Sequence, residues 1–192
     1  MPELHLTDGD AADQLLSESP LALLIGMLLD QQVPMEKAFA GPYTIAQRMG
    51  GDDLDAHAIA STAPDEFAAV LAAKPAVHRY PVAMAGRIQK LCTHLIDHYH
   101  GDAAAIWRDT DTATDVYDRL IALPGFGDHK AQVFVALLGK RLGVTPQGWR
   151  DTAGDYGQDG VYRSIADVTG PQDLLKVRET KKLEKQARSN PR

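Results

Sequence analysis

Apolar positions along this chain recur at intervals of three and four residues, and no stretch alternates apolar with polar as a strand would. The longest apolar run, LALLIGMLLDQQ from Leu21, is hydrophobic almost all round, and Ser19-Pro20 ahead of it supply an N-cap and a first-turn proline. A helix without a polar face belongs at the centre of a core. Pro34 ends it, and MEKAFAGPYTIAQRMG predicts a helix interrupted at Gly41-Pro42 and stopped by Gly50-Gly51. Pro64 opens a short helix, PDEFAAVLAAK. In RYPVAMAGRIQKLCTHLIDHYHGD, Met84, Ile88, Leu91, Leu95 and Tyr99 mark one helical face, and Gly101 stops the helix. TATDVYDRLIAL and DHKAQVFVALLGKRLG predict two more helices, TPQGWRDTAGDYGQDG reads as a loop rich in Gly, Asp and Thr, and a terminal helix starts near Pro171.

Composition narrows the class. The chain has 192 residues, 44% of them hydrophobic, which suffices for a substantial core. No apolar run is long enough to span a bilayer, and the acidic start MPELHLTDGD lacks the features of a signal peptide, so a cytoplasmic protein with no membrane partner is expected. The single cysteine, Cys92, excludes an intrachain disulfide and any iron–sulfur cluster held by four cysteines of one chain. The net charge of −6 argues against a protein that coats nucleic acid and admits a helical scaffold for protein partners. That charge is uneven, however: residues 1–75 carry twelve acidic and three basic side chains, a balance of −9, which leaves +3 for residues 76–192. A polyanion would dock on the second half. The basic end, KVRETKKLEKQARSNPR from Lys176, reads first as a solvated helix and second as a DNA-binding tail.

The densest signal is LPGFGDHKAQVF, residues 123–134. Leu123-Pro124-Gly125-Phe126-Gly127 joins two helices by a turn whose glycines can take positive φ and expose backbone, while Phe126 plugs the turn into the core. The amides of Gly125, Gly127 and the first helical turn then converge at the positive end of a helix, which suits a phosphate. Asp128 at the exit is expected to cap that helix. At about 100° per residue, His129 shares a face with Gln132, Ala136 and Lys140 and looks toward a cleft, whereas Lys130 lies with Val133, Phe134 and Leu137, toward packing or a phosphate.

With Ile121 and Ala131 flanking it, this stretch resembles the helix–hairpin–helix motif. LLDQQ at 28–32 looks like the early helix end of the helix–hairpin–helix (HhH-GPD) DNA glycosylases related to endonuclease III and adenine glycosylase, and MAGRIQKLCTHLIDHYHGD is similar to their helix ahead of the motif. The resemblance covers roughly residues 20–145. It implies an all-α, two-lobed fold, with a six-helix core lobe over 20–142 and a flanking lobe from 1–19 and 143–192. It further implies a monomer that binds double-stranded DNA in the nucleoid and flips the target base out of the stack. Gln32 falls where the family fills the gap left by the flipped base, with Gln31 beside it, and Gly125, Phe126, Gly127, His129 and Lys130 match the phosphate-gripping segment. The carbonyls of Ile121, Leu123 and Phe126 match those that hold a monovalent cation, K+ or Na+; no other cofactor is implied.

The chemistry departs from the family pattern. The position of the lysine nucleophile of bifunctional members is His129 here, with Lys130 one residue late, so a Schiff-base lyase is not expected and hydrolysis of the N-glycosidic bond is. The window of the family's general aspartate falls on Gln147, Gly148 and Trp149, none a carboxylate. Asp151 is the nearest replacement, Asp155 a more distant one, and a turn residue is the plain alternative for Asp151. The expectation is a monofunctional DNA N-glycosylase of base excision repair, with Asp151 and His129 at its catalytic centre; the alternative is a non-catalytic binder of damaged DNA. Trp149, Tyr156 and Tyr162 are candidate walls of a base pocket, and His94, Asp97 and His98, at i, i+3, i+4, read as a polar helix face before a metal site.

Overall fold

A computed structural model describes residues 4–189; Met1–Glu3 of the acidic start and Asn190–Arg192 of the basic end lie outside the described residues. The elements in order are α1 (Asp10–Glu18), α2 (Pro20–Leu29), α3 (Met35–Arg48), α4 (Ala56–Ser61), α5 (Pro64–Ala72), α6 (Pro81–Tyr99), α7 (Ala105–Arg108), α8 (Ala113–Ile121), α9 (Asp128–Arg141), α10 (Trp149–Ala153) and α11 (Pro171–Ser189), with short 3-10 turns at Gly154–Gly157 and Ile165–Asp167. The protein is all-α: among the described residues the sole β-type pairing is a bridge between Thr112 and Gln147.

Helix α2 is the axis of the core. Ser19 caps its first turn through Ala22 N–H, and every residue from Leu21 to Leu29 is buried. Helices α1 and α2 meet at 115°, and no single described helix is long and apolar enough to cross a membrane. Glycines let α3 lie close on α2: a Cβ on Gly26 would stand 2.7 Å from the Phe39 ring, and one on Gly41 would stand 2.6 Å from Leu29. This contact explains why the expected interruption at Gly41-Pro42 does not occur. Pro42 is buried inside a continuous α3, where packing against α1, α2 and α5 outweighs the roughly 3 kcal/mol cost of an interior proline.

The stretch expected to be a loop after α9 is ordered instead. Trp149 lies so flat on α9 that a Cβ on Gly139 would meet its ring at 2.4 Å, and that contact holds α10 against α9. The following segment is pinned by charge. The Lys140 ammonium, on α9, meets Asp167 at 2.6 Å with side chains only 9% and 3% exposed, and the other Asp167 oxygen accepts the N–H groups of Arg163 and Ser164. Helix α11 packs on the second 3-10 turn, and Arg178 pairs with the buried Glu36 of α3. One continuous cluster of buried side chains runs from Leu4 to Val177. The Lys140–Asp167 pair has a direct test. Lys140→Met removes the cation that pairs with Asp167 in the interior, and should lower the stability measured by urea unfolding by about 3–5 kcal/mol.

Candidate functional site

The hairpin between α8 and α9 closes on Leu123, whose carbonyl accepts Phe126 N–H at 3.1 Å. Phe126 is 8% exposed and its ring meets Phe134 edge-on, 6.3 Å between centroids, which anchors the turn as its sequence suggests. The two glycines differ. Gly125 has φ +86° and its Cβ would stand 2.4 Å from Leu28, so both conformation and the proximity of α2 require glycine. Gly127 is extended (φ −136°, ψ −179°) rather than left-handed, and a Cβ there would meet no protein atom. Neither packing nor backbone demands glycine at 127. What the missing side chain leaves open is the approach to the amides that start α9, whose first intrahelical bond runs from Ala131 N–H to the Gly127 carbonyl at 3.0 Å.

Asp128 is the first residue of α9, not its cap; Gly127 holds the cap position. The Asp128 carboxylate instead accepts the Tyr117 hydroxyl at 3.0 Å, tying α8 to α9. Of the carbonyls expected to face a monovalent cation, those of Ile121, Leu123 and Phe126, Leu123 already accepts one hydrogen bond inside the turn. Among the described residues no group of three His, Cys, Asp or Glu side chains is arranged to hold a metal. The His94 and His98 rings meet at a tilt of 41°, with centroids 4.3 Å apart.

Lys130 is half-buried and turns away from the hairpin turn toward the end of α2. Its ammonium donates to the carbonyls of Met27 at 2.6 Å and Leu28 at 2.8 Å, the last turn of α2. Burial pushes Lys130 down to about 8, with Asp30 opposing that shift and Arg87 adding to it.

Directly beyond that turn lie the two glutamines. Gln31 is clamped: its amide donates to the Leu28 carbonyl at 2.8 Å, its side-chain oxygen accepts Arg87 of α6 at 2.9 Å, and its own carbonyl lies 2.8 Å from His78 Nε2. His78 is 1% exposed, and its Nδ1 accepts Tyr80 N–H at 3.0 Å, an arrangement in which Nε2 carries the proton. Gln32, by contrast, is exposed and left-handed at φ 58°. His78 and Arg87 are absent from the sequence reading. Arg87 sits three residues after Met84 and so shares its side of α6, but only the fold brings either residue to Gln31.

On the other side of the hairpin, His129 is exposed and meets Tyr156 edge-on at 5.4 Å. The expected grouping of three aromatics separates. Tyr156 stands at His129, near the start of α9, while Trp149 and Tyr162 line a cleft of about 390 Å³ beside Gly139 and Arg141, at the far end of a helix about 20 Å long. Asp151 is exposed. It lies about 200° around α10 from Trp149, the residue that packs on α9. Asp155 is paired with Arg163 at 2.8 Å, and the backbone of Gln147 is taken up by Asp111 and Ala113.

No family model matches this chain, and no curated protein matches it. What the geometry defines is an all-α protein in which a hairpin glycine, Gly125, a half-buried lysine and a left-handed glutamine gather at one end of the central helix.

Two outcomes test this account. Gly125→Ala should cost about 1–3 kcal/mol in chemical unfolding, whereas Gly127→Ala should stay within about 0.5 kcal/mol of the parent. For Lys130 the folded value lies below the ordinary 10.5, so between about 8 and 10.5 the unfolded chain binds more protons and stability rises with pH. Measured against Lys130→Met, the parent should therefore gain relative stability across that window, and a flat difference would contradict the shift.

Proposed function

We propose that this protein is a monofunctional DNA N-glycosylase of base excision repair, built as the two-lobed helix–hairpin–helix glycosylases are. The observation that carries the reading is the open approach to the α9 amides at Gly127, set beside an exposed, left-handed Gln32. In this reading the amides and the positive end of α9 grip a phosphate, a sequence-independent contact. Gln32 fills the space of the flipped nucleotide, which must leave the stack before its glycosidic bond can be reached. His129, with Tyr156 at its edge, faces the extruded base. The engagement of the Lys130 ammonium by two carbonyls supports hydrolysis without strand cleavage, because an amine held in that way is not available to form a Schiff base. Asp151 is assigned the role of stabilising the cationic sugar and orienting water.

A second reading, a non-catalytic binder of damaged DNA, is favoured by one observation: Asp151 is exposed and turned away from the α10 face that meets α9.

Excision assayed on duplexes carrying uracil, alkylated purines, oxidised guanine or mismatched adenine separates the two. The glycosylase reading expects abasic sites that break only on alkali treatment, no adduct trapped by borohydride, and a loss of roughly 10²-fold or more in Asp151→Asn. Salt-dependent binding without excision of any base would establish the second reading instead. Replacing Gly127 by Val should weaken DNA binding in either case without unfolding the protein.

A further inference from the structure

Two parts of the site approach from opposite directions in sequence. Gln32 leaves the end of α2, and the hairpin precedes α9, about a hundred residues on. They meet through two contacts that link one to the other directly. Gly125 lies against Leu28, with no room for a Cβ between them, and Lys130 spans the junction to hold the carbonyls of Met27 and Leu28. A third clamp comes from α6 and the segment before it, where Arg87 and His78 hold Gln31 by its side chain and its carbonyl. Gln32 is thus the first residue past a turn fixed from three segments, while its own side chain is exposed.

We propose that Lys130 is a positioning residue, which joins the phosphate-gripping hairpin to the Gln32 turn so that the two engage DNA as one rigid body. The inference rests on the reading of Gln32 as the side chain that enters the duplex. It replaces a direct phosphate contact for Lys130 with an indirect role. The ammonium spends its hydrogen bonds on α2, and a left-handed, exposed glutamine keeps a single orientation only if the turn before it is held. Loss of the clamp leaves the hairpin amides in place but lets the Gln32 turn move independently of them.

Binding to two duplexes of one sequence, one intact and one carrying a tetrahydrofuran abasic analogue, measured by fluorescence anisotropy over a range of salt, tests this. The parent should prefer the abasic duplex, and Gln32→Ala should remove that preference by about tenfold. Lys130→Met should remove it to the same extent, leave the slope of log K against log salt unchanged, and add nothing in the Gln32→Ala background. The inference is overturned if Lys130→Met weakens both duplexes equally with the salt slope falling by about 0.9, which marks a phosphate contact. It is also overturned if the two substitutions add. Should Lys130→Met fail to fold by circular dichroism, Arg87→Met loosens the same turn from α6 and must show the same loss of preference, again without adding to Gln32→Ala. If Gln32→Ala removes a preference that Lys130→Met and Arg87→Met both keep, the inference alone fails. A parent that binds both duplexes equally removes the role of Gln32 and the inference with it.

Discussion

A helix buried on all sides must still find donors for the carbonyls of its last turn, because water cannot reach them and an unpaired buried acceptor costs about 1–3 kcal/mol. Helix α2 meets this requirement with side chains from distant parts of the chain. Lys130 reaches Met27 and Leu28, and the Gln31 amide adds a second donor to Leu28. The solution has structural consequences in both directions. It draws the start of α9, and with it the hairpin, against the end of α2, and it brings a cation into the interior at an energetic cost visible in its lowered proton affinity. Gly125 follows from the same proximity, since no side chain fits between the hairpin and Leu28.

Much of this frame was legible in the sequence. The cap at Ser19, the prolines opening helices, and the apolar stripe of α6 all act through neighbours within a turn, and they place their elements correctly. The failures share a cause. Pro42 and the 149–157 segment were read by local propensity, but each is decided by a tertiary contact: close packing of α2 on α3 for the first, and Trp149 lying on Gly139 for the second. Helices α1, α4 and α7 have no counterpart among the elements predicted from the pattern, the last two being too short to repeat one. At the candidate site the same division holds. The hairpin announces itself through Leu123 to Gly127, whereas the Lys130, His78 and Arg87 contacts span 47 to 103 residues and leave no periodic trace.

Charge is arranged with similar economy. Asp128 is an anion at the mouth of a proposed phosphate site, an arrangement that by itself opposes binding. The Tyr117 hydroxyl donates to it, so part of that charge is directed back toward α8. Lys140, which pairs with the buried Asp167, lies on the helix that the hairpin opens but at its opposite end. Lys140 also donates to the Gln158 carbonyl, two residues after the Tyr156 that meets His129.

The left-handed backbone at Gln32 carries a consequence for anyone who would engineer this protein. Glycine or asparagine occupies that conformation more comfortably than a long side chain does, so a screen for thermal robustness would favour replacing the glutamine. The improved variants would keep the fold, express well, and have lost an exposed amide just past the end of the central helix. If Gln32 enters the duplex as proposed, robustness and recognition are opposing selections at this position, and a library sorted on the first is a record of what the second gives up.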